Sequence, residues 1–362
     1  MSELTGKDRV LSAIEFDATD KVPVAGGFVR HPQFLADTAG VSVEEFWADP
    51  RGAAIRAFRK LGVDCIIGLI LPRPGSPVGA EVEHRTQERF DSPEAVADAI
   101  AELPSLPQLH REFDFDREYE AYLRTYRDGE DAIGEDILWL PNGFRYVAKF
   151  QNEADFGAEN YYMVLALYPD RMRRYFEYSG EQAFLRNTAV ARAMVDHDLP
   201  RVMWMGQDAC DNRGPYIDPE TMNEIYIRYV RRSLEPLKDI GVRILWHSDG
   251  NIMPIVPYLL DAGVDGFQGL QETVETPVDI EKLRSMTTRA GRSPVIVGSV
   301  STITTMPFGT PEEVRAEVQR CQSLADQGGV GWILNFSSSV GPEVPSENLR
   351  AFFDAAAEPG TR

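Results

Sequence analysis

The segment Arg243-Ile244-Leu245-Trp246-His247-Ser248-Asp249-Gly250-Asn251 narrows the possible folds more than any other stretch of this chain. Ile244 to Trp246 is apolar without alternation, the pattern of a strand buried on both faces. The chain then turns polar in one step, and a helical pattern resumes from Met253 to about Ala262. A doubly buried strand followed at once by a helix belongs to a parallel sheet with helices packed around it. The unit recurs: Val22 to Ala25, Val63 to Leu71, Ile137 to Leu140, Arg201 to Met205, Gly266 to Leu270, Pro294 to Gly298 and Trp332 to Asn335 all read as short buried strands.

Helices fill the intervals. Asp8 to Phe16 is a short amphipathic helix ahead of the first strand, and Phe28 to Ala39 is a loop and a short helix. Ser42 opens a helix to about Leu61, stopped by Gly62. Ser92 to Leu103, Glu159 to Leu167 and Asp170 to His197 are helical, as are Asp279 to Met286, Pro311 to Gln327 and Ser346 to Ala357. Asp218-Pro219-Glu220 starts another helix that runs to about Ile240. The loop Pro72 to Gly75 follows the second strand. From Ser76 to Glu135 the pattern is otherwise irregular, and the charged, aromatic stretch from Glu112 to Gly129 has no period that places it. So many strand–helix units over 362 residues favour a closed (β/α)8 TIM barrel with a short N-terminal helical extension, the whole of 1–362 being one domain. No G-x-G-x-x-G follows the first strand and no G-x-x-x-x-G-K-[ST] is present, so dinucleotide and P-loop folds have no support.

Charge limits the partners. The net charge is -20, with no run of Lys or Arg, which disfavours nucleic acid and anionic membranes. Cys65, Cys210 and Cys321 are far apart, without a C-x-x-C pair, as in a reducing compartment. Met1 to Glu15 lacks the apolar core of a signal peptide, and no apolar run reaches membrane-spanning length. A soluble cytoplasmic protein acting on a small molecule is expected; the oligomeric state is open.

Barrel enzymes place their chemistry where strands run out into the following loops. That rule selects Phe28, Arg30 and His31, then Gln207, Asp208 and Asp211, then His247 and Asp249. It goes on to Gln268, Gln271 and Glu272, to Ser299, and to Asn335 with Ser337, Ser338 and Ser339. Each has a plainer alternative. Ser248, Asp249 and Asn251 suit helix caps, although a cap needs no imidazole like that of His247. Asp208 and Asp211 suit a turn before Gly214-Pro215. Gln271 and Glu272 suit a solvated loop, and Arg30 and His31 a loop that meets solvent. The three serines are either a turn or a set of hydroxyls for a bound oxygen.

At these residues the chain resembles the uroporphyrinogen decarboxylase superfamily. The likeness runs from Arg9-Val10-Leu11 and Asp20-Lys21-Val22-Pro23-Val24 through Leu61-Gly62-Val63-Asp64. It continues through His247-Ser248-Asp249-Gly250-Asn251 and Leu259-Leu260-Asp261-Ala262-Gly263-Val264-Asp265, and closes on Gly341-Pro342-Glu343-Val344-Pro345-Ser346-Glu347-Asn348-Leu349. The resemblance implies a (β/α)8 barrel and either a decarboxylase or a methyltransferase working with a corrinoid or folate carrier. Departures from the decarboxylase pattern favour the second. Its Arg-Gln-Ala-Gly-Arg loop is here Gly27-Phe28-Val29-Arg30-His31; its second-strand Asp is missing from Ile67-Gly68-Leu69-Ile70-Leu71; and its last-loop His is Ser338. The zinc methyltransferases of the superfamily use His-x-Cys and a later Cys, where this chain has His247, Asp249 and Ser338.

The resemblance therefore implies a methyltransferase-like enzyme. It would move a methyl group from a small methoxy compound or methylamine to a corrinoid or to tetrahydrofolate. No D-x-H-x-x-G signature is present, so a corrinoid would arrive on a separate protein. His247, Asp249 and Asp208 are the expected catalytic residues, with His247 as general acid. Arg30, His31, Gln207, Asp211, Gln271, Glu272, Asn335 and Ser338 are the expected substrate contacts. Zinc on His247, Asp249 and Glu272 is the metal-dependent version. A lyase acting on a small carboxylate and a non-catalytic binding barrel are the alternatives. His84, His110 and His197 lie in less ordered or helical stretches and are not expected in the site.

Overall fold

The computed structural model describes residues 4–74, 90–151, 153–273, 275–326 and 331–358. Among the described residues eight short strands follow one another: β1 (Ala25–Gly26), β2 (Cys65–Ile67), β3 (Leu138–Leu140), β4 (Val202–Gly206), β5 (Arg243–His247), β6 (Gly266–Gln268), β7 (Val295–Val297) and β8 (Trp332–Ile333). β1 to β3 pair in parallel in sequence order, and so do β4 to β8. Parallel bridges cover both seams. Asn142 with Trp204 joins β3 to β4, and Val24 with Leu334 joins β8 to β1. The second seam is held by Leu334 N donating to Pro23 O at 2.8 Å and Ala25 N donating to Leu334 O at 2.9 Å. The strands thus run in cyclic order, giving the α/β barrel expected from the alternation.

Both strand faces are buried because side chains fill the ring and helices cover its outside. Trp204, Trp246, Trp332 and Phe28 are among the largest fully buried side chains. Helix Gly6–Glu15, capped by Thr5, is the expected N-terminal extension. It lies across the ends where strands begin: Lys7 N donates to Asp136 O at 2.9 Å, just ahead of β3, and Arg9 pairs with Asp64, just ahead of β2.

Several expected boundaries shift for local reasons. The helix expected from Ser42 to Leu61 is two, Val43–Ala48 and Pro50–Lys60. Pro50 pushes the preceding residue out of the helical region, and Asp49 at φ -143° ends one helix while its carboxylate caps the next. The second strand stops at Ile67 because Gly68 and Leu69 both adopt positive φ. The helix expected from Met253 begins at Val256, ahead of Pro257. The unplaced stretch forms helices Leu106–Glu112 and Phe115–Ile133; the longer one buries a stripe through Tyr122, Tyr126, Gly129 and Ile133. The helix from Pro219 to Asp239 carries one π turn, Asn223–Ile227. His84 and the Gly75 end of the expected loop lie outside the described residues. No helix among the described residues is long and apolar enough to cross a membrane.

Candidate active site

Three strand ends build the centre of the site. His247 is the last residue of β5, Asp208 follows β4 by two residues, and Asp249 follows β5 by two. Gly206 pairs with His247 across the β4–β5 ladder. A Cβ on Gly206 would sit 1.9 Å from the His247 carbonyl oxygen, so only glycine lets the strands close up beneath the imidazole. The loops above are joined as well. Asp249 N donates to Asp208 Oδ1 at 2.9 Å, and Asn251 N donates to Asp211 O at 2.8 Å. Gly250, at φ +85°, sits where a Cβ would lie 2.6 Å from the Asp211 carbonyl oxygen.

The side chains converge. His247 Nε2 is 3.6 Å from Asp208 Oδ1. Ligand atoms of Asp208, His247 and Asp249 all lie within 4.8 Å of one another. Ser338 Oγ donates to Asp249 Oδ2 at 3.1 Å, whereas Asp249 Oδ1 is buried with no hydrogen-bond partner. Gln151 Nε2 donates to Asp208 Oδ2 at 3.1 Å. On its other nitrogen, Nδ1, His247 is hydrogen-bonded to Gln268 Oε1, at the end of β6. Burial raises the Asp249 carboxyl above its ordinary value and neighbouring Asp208 adds to the rise, while His247 and the Ser338 hydroxyl oppose it. The walls are aromatic. Phe144 stacks on the imidazole at 5.6 Å between ring centroids, with Trp204 at 5.5 Å and Phe28 at 6.4 Å.

Of the residues expected here, His247, Asp208, Asp249, Ser338, Gln268 and Phe28 come together. The others do something else. Glu272 is not in the cluster: its carboxylate accepts from Arg320 at 2.8 Å and from Ser299 Oγ at 3.3 Å. Asp208, not Glu272, is the third potential ligand beside His247 and Asp249. Gln207 braces the segment after β3. Its Oε1 accepts from Phe150 N and Gln151 N at 2.9 and 3.1 Å, and its Nε2 donates to Gly206 O at 2.8 Å. His31 caps helix Pro32–Ala39, its Nδ1 accepting from Phe34 N at 3.2 Å, and burial holds its pKa below the ordinary value. Asp211 is tied to Arg213 at 2.7 Å and turns its own loop. Arg30 is exposed, and Gln271 is half-buried, with its carbonyl accepting from Val278 N. Asn335 is fully buried; its Oδ1 accepts from Phe336 N at 2.8 Å and its Nδ2 has no partner. Of the other histidines, His110 pairs with Glu181 and His197 with Tyr119 and Arg127.

Phe144 and Gln151 were not foreseen. Both follow β3, and Asn142-Gly143 marks that strand's exit as plainly as Gly206 marks the exit of β4. The strand-end rule reaches Phe144 directly. Gln151 is too far along the loop for it.

Fold and cluster define a class: a parallel α/β barrel with an acid–imidazole site at the carboxyl ends of its strands. Comparison with known proteins narrows this. Residues 187–359, which hold β4 to β8 and the whole acid–imidazole cluster, match the family model described as uroporphyrinogen decarboxylase (URO-D). Two proteins named "Methylcobamide:CoM methyltransferase MtaA", one from Methanosarcina barkeri (strain Fusaro / DSM 804) and one from Methanosarcina barkeri, are each 22% identical over 369 residues and cover 99% of both chains. A solved structure described as a methyltransferase from Methanosarcina mazei shares the fold, with a TM-score of 0.60 and 19% identity over 98% of each chain. The part of the chain that carries the cluster is thus similar to the uroporphyrinogen decarboxylase family, and the full-length relatives it resembles are methyltransferases by name.

Proposed function

We propose that this protein is a methyltransferase that exchanges a methyl group between a small methylated compound and a corrinoid carried on a separate protein, 1–362 acting as one barrel domain. The observation that carries the reading is the convergence of His247, Asp208 and Asp249 at the strand ends. The names of the full-length relatives support the corrinoid over tetrahydrofolate as the methyl carrier. The donor we infer is a methoxy compound or a methylamine. When a methyl group leaves such a donor, the bonding electron pair stays on the oxygen or nitrogen. That atom must then take a proton or meet a cation. His247, hydrogen-bonded through Nδ1 and open at Nε2, can take up an added proton on Nε2 and pass it to the leaving atom, with Asp208 orienting the ring from 3.6 Å. Phe144, Trp204 and Phe28 keep water from the imidazole, and the partly exposed Phe144 offers flat apolar surface to an aryl or methyl group.

The same atoms fit a divalent cation. Asp249 Oδ1 is buried without a partner, and a carboxylate oxygen of Asp249 lies within 4.8 Å of ligand atoms of His247 and Asp208. His247, Asp208 and Asp249 would hold zinc, leaving a fourth position open. A zinc ion there supplies Lewis-acid polarisation of a donor oxygen or thiol. Decarboxylation of a polycarboxylate fits less well: Arg213 holds Asp211 and Arg320 holds Glu272, and the exposed Arg30 is a single cation against several carboxylates. The test is the purified protein with reduced free cobalamin and a panel of methoxyarenes and methylamines, followed by the visible spectrum of methylcobalamin. Formation of methylcobalamin with one donor class supports the reading. Release of carbon dioxide from uroporphyrinogen, with no methyl transfer from any donor, refutes it.

A further inference from the structure

We propose that Gln268 is a positioning residue that fixes His247 in the tautomer bearing its proton on Nδ1, so that Nε2 meets the two carboxylates as a lone pair. This deepens the reading above and relies on it only for the location of the site.

Gln268 ends β6 and is fully buried, so its amide has no solvent to turn towards. Its Nε2 lies 3.5 Å from the Ser337 carbonyl oxygen, which can only accept. Ser337 is itself held, with its N donating to Val300 O at 2.9 Å and its Oγ accepting from Thr302 N at 3.1 Å. The amide nitrogen therefore faces Ser337 and the amide oxygen faces His247. That oxygen also can only accept, so His247 Nδ1 must donate. A neutral imidazole has one N–H, and with it on Nδ1 the Nε2 atom carries a lone pair.

The consequence falls on the cluster. Nε2, Asp208 Oδ1 and a carboxylate oxygen of Asp249 are three electron-pair donors within 4.8 Å of one another, and the hydrogen that reaches Asp208 Oδ1 from the Asp249 backbone N does not lie between Nε2 and the carboxylates. Such a set is stable only around a cation or an added proton. Without the acceptor at Gln268, the imidazole would move its hydrogen to Nε2 and donate it to Asp208. The cluster would then satisfy itself as an ordinary hydrogen-bonded pair. Gln268 is the group that keeps it receptive. In metal sites generally, the second nitrogen of a ligating histidine donates to such a partner, whose loss weakens binding by roughly 10- to 100-fold.

The experiment is long-range 1H–15N correlation on the full chain labelled with 15N-histidine, at a pH above the ordinary histidine range and with metal removed. The His247 signals are assigned by their loss in His247→Gln. The expected result is a protonated-type shift on Nδ1 and a lone-pair-type shift on Nε2. Gln268→Leu should reverse the two; Gln268→Glu, which keeps an acceptor, should not. Titration with Co2+ should show Gln268→Leu weaker by roughly 10- to 100-fold and Gln268→Glu within a few-fold of wild type. A wild-type spectrum with the proton on Nε2 overturns the proposal, and so does a folded Gln268→Leu whose tautomer is unchanged. If Gln268→Leu does not fold, the wild-type spectrum alone decides. An Nδ1–H tautomer in a protein that transfers no methyl group to cobalamin refutes the methyl-transfer reading and leaves this one standing.

Discussion

The two ends of the barrel use the same residue types for opposite purposes. Where the strands begin, carboxylates meet cations. Asp64 pairs with Arg9 and accepts from Val24 N; Asp20 holds the other edge of Arg9; Asp265 pairs with Lys238 at 2.5 Å and lies 3.5 Å from Arg243. Glu15 joins Arg243 and Arg292 at 2.7 and 2.9 Å. Where the strands end, Asp208 and Asp249 meet an imidazole, an amide, a hydroxyl and a backbone N–H. One end has its charge neutralised within the chain. The other has acids whose neutralising partner is not supplied by the fold, and functional sites are where such imbalance is tolerated.

That contrast can be broken at either end. The largest effect should come from Arg9→Met. It leaves buried Asp64 with Lys21, at 3.8 Å, as its remaining cation, and removing one partner of a buried pair costs about 3–5 kcal/mol. Urea unfolding should show the loss, while any chemistry at the distant end is spared in the protein that remains folded. His247→Ala should do the reverse. Methyl transfer should fall by roughly 100-fold or more, the scale of a lost general acid, with the melting temperature nearly unchanged. His247→Gln should not restore the rate. If both variants keep near wild-type turnover, the imidazole is structural.

A smaller effect should have the opposite sign. Asp249→Asn removes a buried carboxylate that has no partner for one oxygen, and should raise stability by roughly 1 kcal/mol while lowering activity. A destabilised but active Asp249→Asn would mean that this end, too, is built for structure. Asp208→Ala should weaken Co2+ binding by more than the ~10- to 100-fold expected from losing a ligand's partner. Glu272→Ala should leave that binding unchanged, which separates the cluster from the Glu272–Arg320 pair.

The smallest effect is in acid. The hydrogen bond from Arg243, helped by Arg292, holds the Glu15 carboxyl below its ordinary value. A folded-state pKa below the unfolded one gives stability that is present above the unfolded value and is lost as pH falls through the folded one. Glu15 is partly exposed, so the contribution is at most about 1 kcal/mol. Glu15→Gln should flatten the acid limb of the stability profile by that amount, and a profile unchanged by the substitution would count this pair as inert.

Much of this was legible in the sequence because burial leaves a period and strand exits leave a composition. The run from Ile244 to Trp246 and the polar step at His247 place a strand and its loop with no further information. Asp208 after Met205-Gly206 is found by the same rule. The break at Asp49 was also legible, through Pro50, although the apolar pattern on either side hides it. Other features were not. Tyr122, Tyr126 and Ile133 lie on one face of a helix that is otherwise charged, and Glu118 is buried among them, so the stripe is diluted. Gln207 and His31 have the right residue types at strand exits. Tertiary packing assigns one to bracing a neighbouring loop and the other to capping a helix. Glu272 was drawn away by Arg320, forty-eight residues further along the chain, a partner that no local pattern announces.

The stitching between the loops after β4 and β5 has one further consequence. With Asp249 N on Asp208, Asn251 N on Asp211 and Gly250 seated against that same carbonyl, the two loops form one rigid patch before anything is captured. The conformational entropy of arranging the ligating groups has been lost once, at folding, and not at each encounter. Capture at this site should then run as a single kinetic phase whose observed rate rises linearly with the concentration of the captured species, with no plateau set by a closing loop.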